Sequence, residues 1–279
     1  MLKRFLTGFC IVAVMAPVIL FAPGWGVSLM VAVFAGIAAV EFISCVGYRK
    51  EWWLTILTVA LCAAGSGLHA GMLPEGCEST LPEWLFAVCI LLLTLLHAAA
   101  AVIRHERFPA DAVLAQLALC LYALFGFSAL CRLSETPGRA LMIAAIALPW
   151  VADTLAYFAG RAFGKRKLCP VISPKKTVEG AVGGVCGTAV IATVLYGVLQ
   201  HTAQVLPLVI VFFSTVVLSV VSIFGDLFAS VVKRHYQIKD YGKLLPGHGG
   251  ILDRFDSVLP VAVVLVLLYQ IPFFAGLWS

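Results

Sequence analysis

Charge is what this sequence has least of. Only 12% of its 279 residues are Asp, Glu, Lys or Arg, against 62% hydrophobic residues, and the mean hydropathy is +1.04. That balance excludes an ordinary soluble domain. The nine cysteines never form a CxxC pair, and most lie inside apolar runs (Cys10, Cys45, Cys62, Cys77, Cys89, Cys120, Cys131, Cys169, Cys186). A zinc site of the usual spacing and a disulfide framework are therefore unsupported. The cysteines read as small buried hydrophobes, with Cys77 and Cys131, both in predicted loops, the one pair that a bridge would suit. No internal repeat stands out, which argues against the inverted-repeat transporters. The apolar stretch after Met1-Leu-Lys-Arg lacks a small-residue cleavage site, so it reads as a first span rather than a signal peptide. A net charge of +5 is too modest to suggest a nucleic-acid partner.

What the chain has instead is apolar runs. A spanning helix needs about 20 mostly apolar residues, and such runs lie near 5–22, 26–46, 53–72, 81–103, 112–131, 139–160, 178–199, 205–229 and 257–277. The reading is an all-α polytopic membrane protein of about nine transmembrane helices. With the N-terminus in the cytoplasm, 17 of the 19 Lys and Arg residues fall in inner segments and only Arg132 and Arg139 fall outside, as the positive-inside rule requires. The C-terminus is then outside. Residues 1–150 form a membrane scaffold with a possible dimer interface, and 151–279 form the catalytic region. Trp25, Trp52, Trp53, Trp84 and Trp278 stand near span ends as interface anchors.

Outer loops are short and carry almost no basic charge, whereas the inner loops 161–177 and 230–256 are longer and polar. Chemistry therefore belongs on the cytoplasmic side. Charged side chains at membrane depth cost a few kcal/mol each (about 3 on insertion scales) and are functional candidates by default. They are Glu41, Asp153, Glu179, Asp226, Asp253 and Asp256, of which Glu41 and Glu179 lie near span ends and can reach the interface. On a continuous helix Asp226, Ser230 and Lys233 share one face. Asp253 and Asp256, three apart ahead of the last span, would share a helix face as well. Convergent carboxylates call for a cation, and all-oxygen donors suit Mg2+, alone or with a second cation, completed by waters and substrate phosphates. The competing reading pairs these aspartates with Lys233, Arg234 and Arg254 instead.

Two basic, glycine-rich segments flank the aspartates. In Gly160-Arg-Ala-Phe-Gly-Lys-Arg-Lys167, leading to Ser173-Pro-Lys-Lys-Thr-Val-Glu-Gly180, the pattern predicts Ser173 as N-cap and Pro174 as first helical residue of the seventh span. Lys175, Lys176 and Thr177 would then frame a phosphate-binding helix end. In Lys239-Asp-Tyr-Gly-Lys-Leu-Leu-Pro-Gly-His-Gly-Gly-Ile-Leu-Asp-Arg-Phe-Asp256, the glycines permit a tight backbone path that brings N–H groups onto a phosphate. Lys239, His248 and Arg254 add donors. Gly180, Gly183, Gly184 and Gly187 are spaced for close helix packing.

These residues resemble the CDP-diacylglycerol synthases, or phosphatidate cytidylyltransferases. The C-terminal signature of that family stands complete as Ser230-Val-Val-Lys-Arg234, then Lys239-Asp240, then Pro246-Gly-His-Gly-Gly-Ile-Leu-Asp-Arg-Phe-Asp256. A second pattern reads Ala152-Asp-Thr-Leu-Ala-Tyr157, Gly160, Gly164 and Ser173-Pro-Lys-Lys-Thr-Val-Glu-Gly180. The resemblance implies transfer of CMP from CTP to phosphatidic acid, a homodimer embedded in membrane lipid, and a metal centre on Asp226, Asp253 and Asp256. Lys233 and His248 join these as catalytic candidates. It further implies substrate-binding roles for Asp153, Tyr157, Ser173, Lys176, Thr177, Ser230, Arg234, Lys239, Asp240, Gly249, Gly250 and Arg254. The compact chain suggests a bacterial inner membrane. Two rival readings of the same residues are a CTP-dependent polyprenol or phytol kinase, which would move the γ-phosphate, and an ion or anion transporter.

Overall fold

A computed structural model describes residues 2–47, 51–68, 81–103, 106, 109–247 and 249–278. The chain is mostly helical, and among the described residues six helices are long and apolar enough to cross a membrane: Gly24–Val46, Trp84–Ile103, Ala110–Leu133, Ala140–Phe163, Val178–Leu199 and Val205–His235. Three shorter apolar helices, Val12–Phe21, Trp52–Gly67 and Val258–Tyr269, fall on the remaining apolar runs. In lipid every backbone N–H and C=O must be paired within its own segment, so apolar runs of this length become helices.

Two compact units divide the chain. The first comprises residues 1–142 and 235–255 and contains α1 (Leu2–Phe21), α2 (Gly24–Val46), α3 (Trp52–Leu68), α4 (Leu81–Ile103), α5 (Ala110–Leu133) and the one-turn α9 (Leu252–Phe255). Helices α2, α3 and α5 pack on one another, with α4 against α3 and α5. Ala39, Cys62, Leu93, Cys120 and Leu124 form one fully buried core layer; Leu54, Ala100 and Val113 form another. Small residues set the spacing: a Cβ on Gly65 would lie 2.7 Å from Leu124 Cδ1. Cys131 is a buried free thiol, and Cys77 lies outside the described residues. The Arg139 guanidinium donates to Ala22 O at 2.7 Å and to Ile19 O, satisfying carbonyls that the end of α1 leaves without helical partners.

The second unit comprises residues 143–234 and 256–279: α6 (Ala140–Phe163), a hairpin of β1 (Lys167–Cys169) and β2 (Ser173–Thr177), then α7 (Val178–Leu199), α8 (Val205–His235), α10 (Val258–Tyr269) and α11 (Pro272–Ala275). Helix α7 lies close along α6 because its facing residues are glycines. A Cβ on Gly180 would meet Ala156 O at 2.7 Å, one on Gly184 would meet Ala152 O at 2.7 Å, and one on Gly187 would meet Leu155 Cδ1 at 2.9 Å. The packing role expected for this stripe is therefore observed. Gly184→Val forces the helices apart, and overpacking of this kind costs about 1–3 kcal/mol or more. The expected outcome is a thermal midpoint several degrees lower in detergent, read by scanning fluorimetry. An unchanged midpoint would contradict this contact. Outward faces carry exposed apolar side chains such as Val194 (61%) and Phe213 (62%), the surface that lipid covers. Trp25, Trp52 and Trp84, all exposed, stand at helix starts as interface anchors would.

Three local expectations are corrected. Ser173 and Pro174 do not open α7. They lie in β2, paired antiparallel with β1 in the register Lys167–Thr177 and Cys169–Ser173. The residue before proline is pushed to extended backbone, and Pro174, without an N–H, tolerates a two-stranded edge. Thr177 is the N-cap instead, its Oγ1 accepting Gly180 N at 3.1 Å. Next, Asp253 and Asp256 do not sit on one helix, since α9 ends at Phe255 and α10 begins at Val258. In a continuous helix the Pro260 ring would clash with the Asp256 carbonyl. Last, the final span breaks after Tyr269 at a turn leading to Pro272, the first residue of α11.

Candidate active site

The site is clearest in the second unit. A cavity of about 480 Å3 opens where the end of α6, the hairpin and the start of α7 meet. Its lining is basic on one side, with Arg161, Lys167, Lys175 and Lys176, and carries Asp153, Tyr157 and Thr177 as well. Glycine shapes its floor: a Cβ on Gly160 would stand 2.8 Å from Thr177 Oγ1, and one on Gly164 2.9 Å from the same oxygen. The Glu179 carboxylate accepts the backbone N–H groups of Lys165 (3.0 Å) and Arg166 (3.1 Å), which holds the α6-to-hairpin turn against α7. Glu179 thus has a structural role at this turn.

Lys176 is the centre of the charge arrangement. Its Nζ lies 2.6 Å from Asp226 Oδ2 and 3.8 Å from Asp153 Oδ1. Two carboxylates from different helices thus converge on one cation position. Helix α8 is continuous through His235, so Asp226, Ser230 and Lys233 do share a face. Further along it, the buried Lys233 lies 3.6 Å from Asp256 Oδ2. Asp256 Oδ1 accepts Ser257 N at 2.8 Å. Gly225 lets α8 approach this turn, because a Cβ there would lie 2.7 Å from Asp256 O and 2.6 Å from Pro260 Cγ. Arg234 is exposed. Ser173 is not part of the cavity lining; it pairs with Cys169 at the far end of the hairpin.

The glycine-rich loop belongs to the first unit. Asp253, buried, accepts Tyr241 N (2.8 Å) and Gly250 N (2.9 Å) on Oδ2. Leu245 and Gly249 exchange two backbone hydrogen bonds of 2.9 and 3.1 Å that close the loop tip. Gly249, at φ +85°, also approaches Asp253 so closely that a Cβ would lie 2.6 Å from Oδ2. Only glycine combines that conformation with that approach. Lys239 and Asp240 are exposed and Arg254 is half-buried. His248 lies outside the described residues.

Sequence reasoning singled out Asp153, Tyr157, Lys176 and Thr177, and the cavity gathers these four. Lys175, expected beside Lys176 at a phosphate-binding end, lines the cavity too. Sequence reasoning did not select Arg161 or Lys167 as ligand-binding residues, nor assign Glu41 a partner; the loop places Glu41 against Ile251 and Leu252. Among the described residues, no three His, Cys, Asp or Glu side chains are grouped to hold a metal ion. The pair Asp153 and Asp226 nevertheless offers carboxylate oxygens around a position already holding a cationic group. That donor set suits a hard divalent ion whose remaining ligands come from substrate phosphate and water.

A cavity lined by Arg161, Lys167, Lys175, Lys176 and Asp153, with Asp226 paired to Lys176, has the charge that nucleotide chemistry needs. Residues 2–272 match the profile described as the cytidylyltransferase family. The chain belongs to that family. Among its relatives, the phosphatidate cytidylyltransferase of Staphylococcus saprophyticus is 36% identical over 224 residues, covering 78% of this chain and 82% of the relative. The enzyme of that name from Bacillus subtilis is 50% identical over 125 residues, or 43% and 45% of the two chains. That from Thermotoga maritima is 38% identical over 156 residues, or 54% and 57%. These last two alignments span about half of each relative. The family match and the complete signature favour this family over the lipid-kinase and transporter readings.

Proposed function

We propose that this chain is a phosphatidate cytidylyltransferase, which transfers CMP from CTP to phosphatidic acid and releases pyrophosphate. The observation that carries the reading is Lys176 between Asp226 and Asp153 at a basic cavity, in a chain of this family. A phosphate oxygen of phosphatidic acid forms the new bond to the α-phosphorus of CTP, and the bond from that phosphorus to the bridging oxygen of pyrophosphate breaks. The attacking phosphate monoester is already anionic near neutral pH, so neither a covalent enzyme intermediate nor an essential general base is needed. The protein's work is positioning and neutralisation of phosphate charge. Lys176, with Arg161, Lys167 and Lys175 around the cavity, receives phosphate oxygens. Lys233 and Arg234 bind remaining phosphate charge; phosphate-binding roles for Lys239 and His248 rest on the signature alone.

Bound Mg2+ would supply Lewis-acid stabilisation of the leaving pyrophosphate. Asp226 and Asp256 are its proposed carboxylates, with Asp153 near the first; a ligand role for Asp253 rests on the signature alone. Ser230, Asp240, Gly249, Gly250 and Arg254 complete the proposed substrate contacts.

The nine-span arrangement with the N-terminus inside is part of this reading. Within the first unit, the bonds from Arg139 to α1 agree with α1 ending on the same side as the α5–α6 connection. Within the second, Tyr196 Oη donates to Leu277 O at 3.1 Å, which agrees with α7 ending on the side where the chain ends. Both pairings are what nine alternating spans require. We place the cavity on the cytoplasmic face of a bacterial inner membrane, in a homodimer. The test is stoichiometry: purified protein given phosphatidic acid, CTP and Mg2+ should form CDP-diacylglycerol and pyrophosphate in equal amounts. Pyrophosphate release that does not require phosphatidic acid would overturn the lipid assignment.

A further inference from the structure

We infer that Glu41, on α2 and far in sequence from the signature residues, is a positioning residue that sets the path of the glycine-rich loop. Its functional half rests on the reading proposed above; its structural half stands alone. Glu41 is buried, and both carboxylate oxygens are committed to the loop. Oε1 accepts Ile251 N at 3.0 Å and Oε2 accepts Leu252 N at 2.9 Å. These N–H groups stand at and just before the start of α9, where no helical carbonyl is available to them. A one-turn helix is thus capped by a side chain some 210 residues away in sequence.

The loop is shaped around this carboxylate. A Cβ on either Gly242 or Gly250 would run into Glu41, and the Gly242 Cβ would also lie 3.0 Å from Gly250 Cα. Both arms of the loop therefore close over the side chain, and each needs glycine to do so. On the other side of the same backbone, Asp253 Oδ2 accepts Gly250 N and Tyr241 N. Consecutive amides 250, 251 and 252 are thus divided between two carboxylates, Asp253 and Glu41. Aromatic contacts fasten the loop's ends to the same unit. Tyr241 packs edge-on against Phe42 at 5.3 Å, and Phe255 packs against Phe34 and Phe127 at 5.5 and 5.6 Å. Phe34 and Glu41 are seven residues apart, two turns along one face of α2.

Each of the two backbone donors meets its own carboxylate oxygen, Ile251 N at Oε1 and Leu252 N at Oε2, so both ends of the side chain must accept. Glutamine would turn an NH2 towards an N–H and leave that donor unsatisfied, whereas aspartate keeps both acceptors on a shorter arm. Loop path then controls where Asp253 and the Lys239–Asp240 and Gly249–Gly250 contacts lie. Glu41 does this without itself touching substrate.

The experiment compares wild type, Glu41→Gln, Glu41→Asp and Gly250→Ala as purified full-length protein in detergent. Hydrogen exchange by mass spectrometry is read on peptides covering 239–254, and kcat and KM for CTP are measured beside it. For Glu41→Gln we expect exchange in 239–254 to rise about tenfold while α5 and α7 peptides keep their protection. Its kcat should fall about tenfold or more, and Glu41→Asp should recover part of both losses. Gly250→Ala should copy Glu41→Gln, and the double variant should be no worse than either single, because both break one contact. Unchanged exchange in 239–254 would overturn the structural inference whatever the activity. Faster exchange with wild-type kcat and KM would overturn the positioning role. If wild type itself makes no CDP-diacylglycerol, the functional reading fails while the exchange result still judges the loop.

Discussion

Asp226→Asn should lower cytidylyl transfer by about a thousand-fold, the scale seen when one electrostatic contributor to a reacting centre is removed, while the protein stays folded. Asparagine keeps the shape of the side chain and removes its charge. Among the described residues, Lys176 then keeps Asp153 as its ion-pair partner, at 3.8 Å in place of the 2.6 Å contact. Because both partners are about a quarter exposed, the loss of the ion pair itself should change stability little. Activity and stability therefore separate: the rate collapses and the thermal midpoint moves by no more than a few degrees. Rates come from incorporation of labelled CMP into lipid. A variant that keeps more than a tenth of the wild-type rate would remove Asp226 from the reacting centre.

The opposite balance is expected at Asp256. Lys233 and Asp256 are both buried, and removing one carboxylate from a buried ammonium costs about 3 kcal/mol or more. Asp256→Ala should thus lose both activity and several degrees of thermal midpoint. The double variant Lys233→Met with Asp256→Leu replaces the pair by apolar groups. It should recover much of the stability, as buried pairs replaced together do, yet remain inactive. Recovery of activity along with stability would show that the pair is a structural bond and nothing more.

Much of the frame was legible from hydropathy alone. The runs at 81–103 and 178–199 coincide with α4 and α7, because a lipid-facing helix declares itself by length and apolarity. Asp226, Ser230 and Lys233 were legible for a similar reason, since helical periodicity alone puts them on one face. The hairpin at 167–177 was not read. Its signals, two prolines that extend the residues before them and a β-branched Thr177 ahead of the apolar run, are short and were outweighed by a plausible N-cap at Ser173. The break between α9 and α10 could have been found from Pro260, whose ring excludes a helix running through Asp256.

Glu41 shows a different limit. Sequence marked it as an acidic residue near a span end and gave it no partner, because its partners are two backbone amides in a loop that no local pattern connects to α2. Likewise, Lys176 was legible as a basic residue at a helix end, but its place between Asp153 and Asp226 depends on how α6, β2 and α8 come together. Glycines at 180 and 184 were legible as close-packing positions; those at 225, 242 and 250 also mark close approaches, to Asp256 and Glu41, that no local pattern announces.

The central claim is that CMP, and not the terminal phosphate, moves to lipid. The direct measurement gives the purified protein phosphatidic acid and Mg2+ with CTP labelled in parallel reactions at the α- and γ-phosphorus, and counts label in the lipid fraction. α-Label should enter lipid and γ-label should be released in pyrophosphate. Appearance of γ-label in lipid would contradict it.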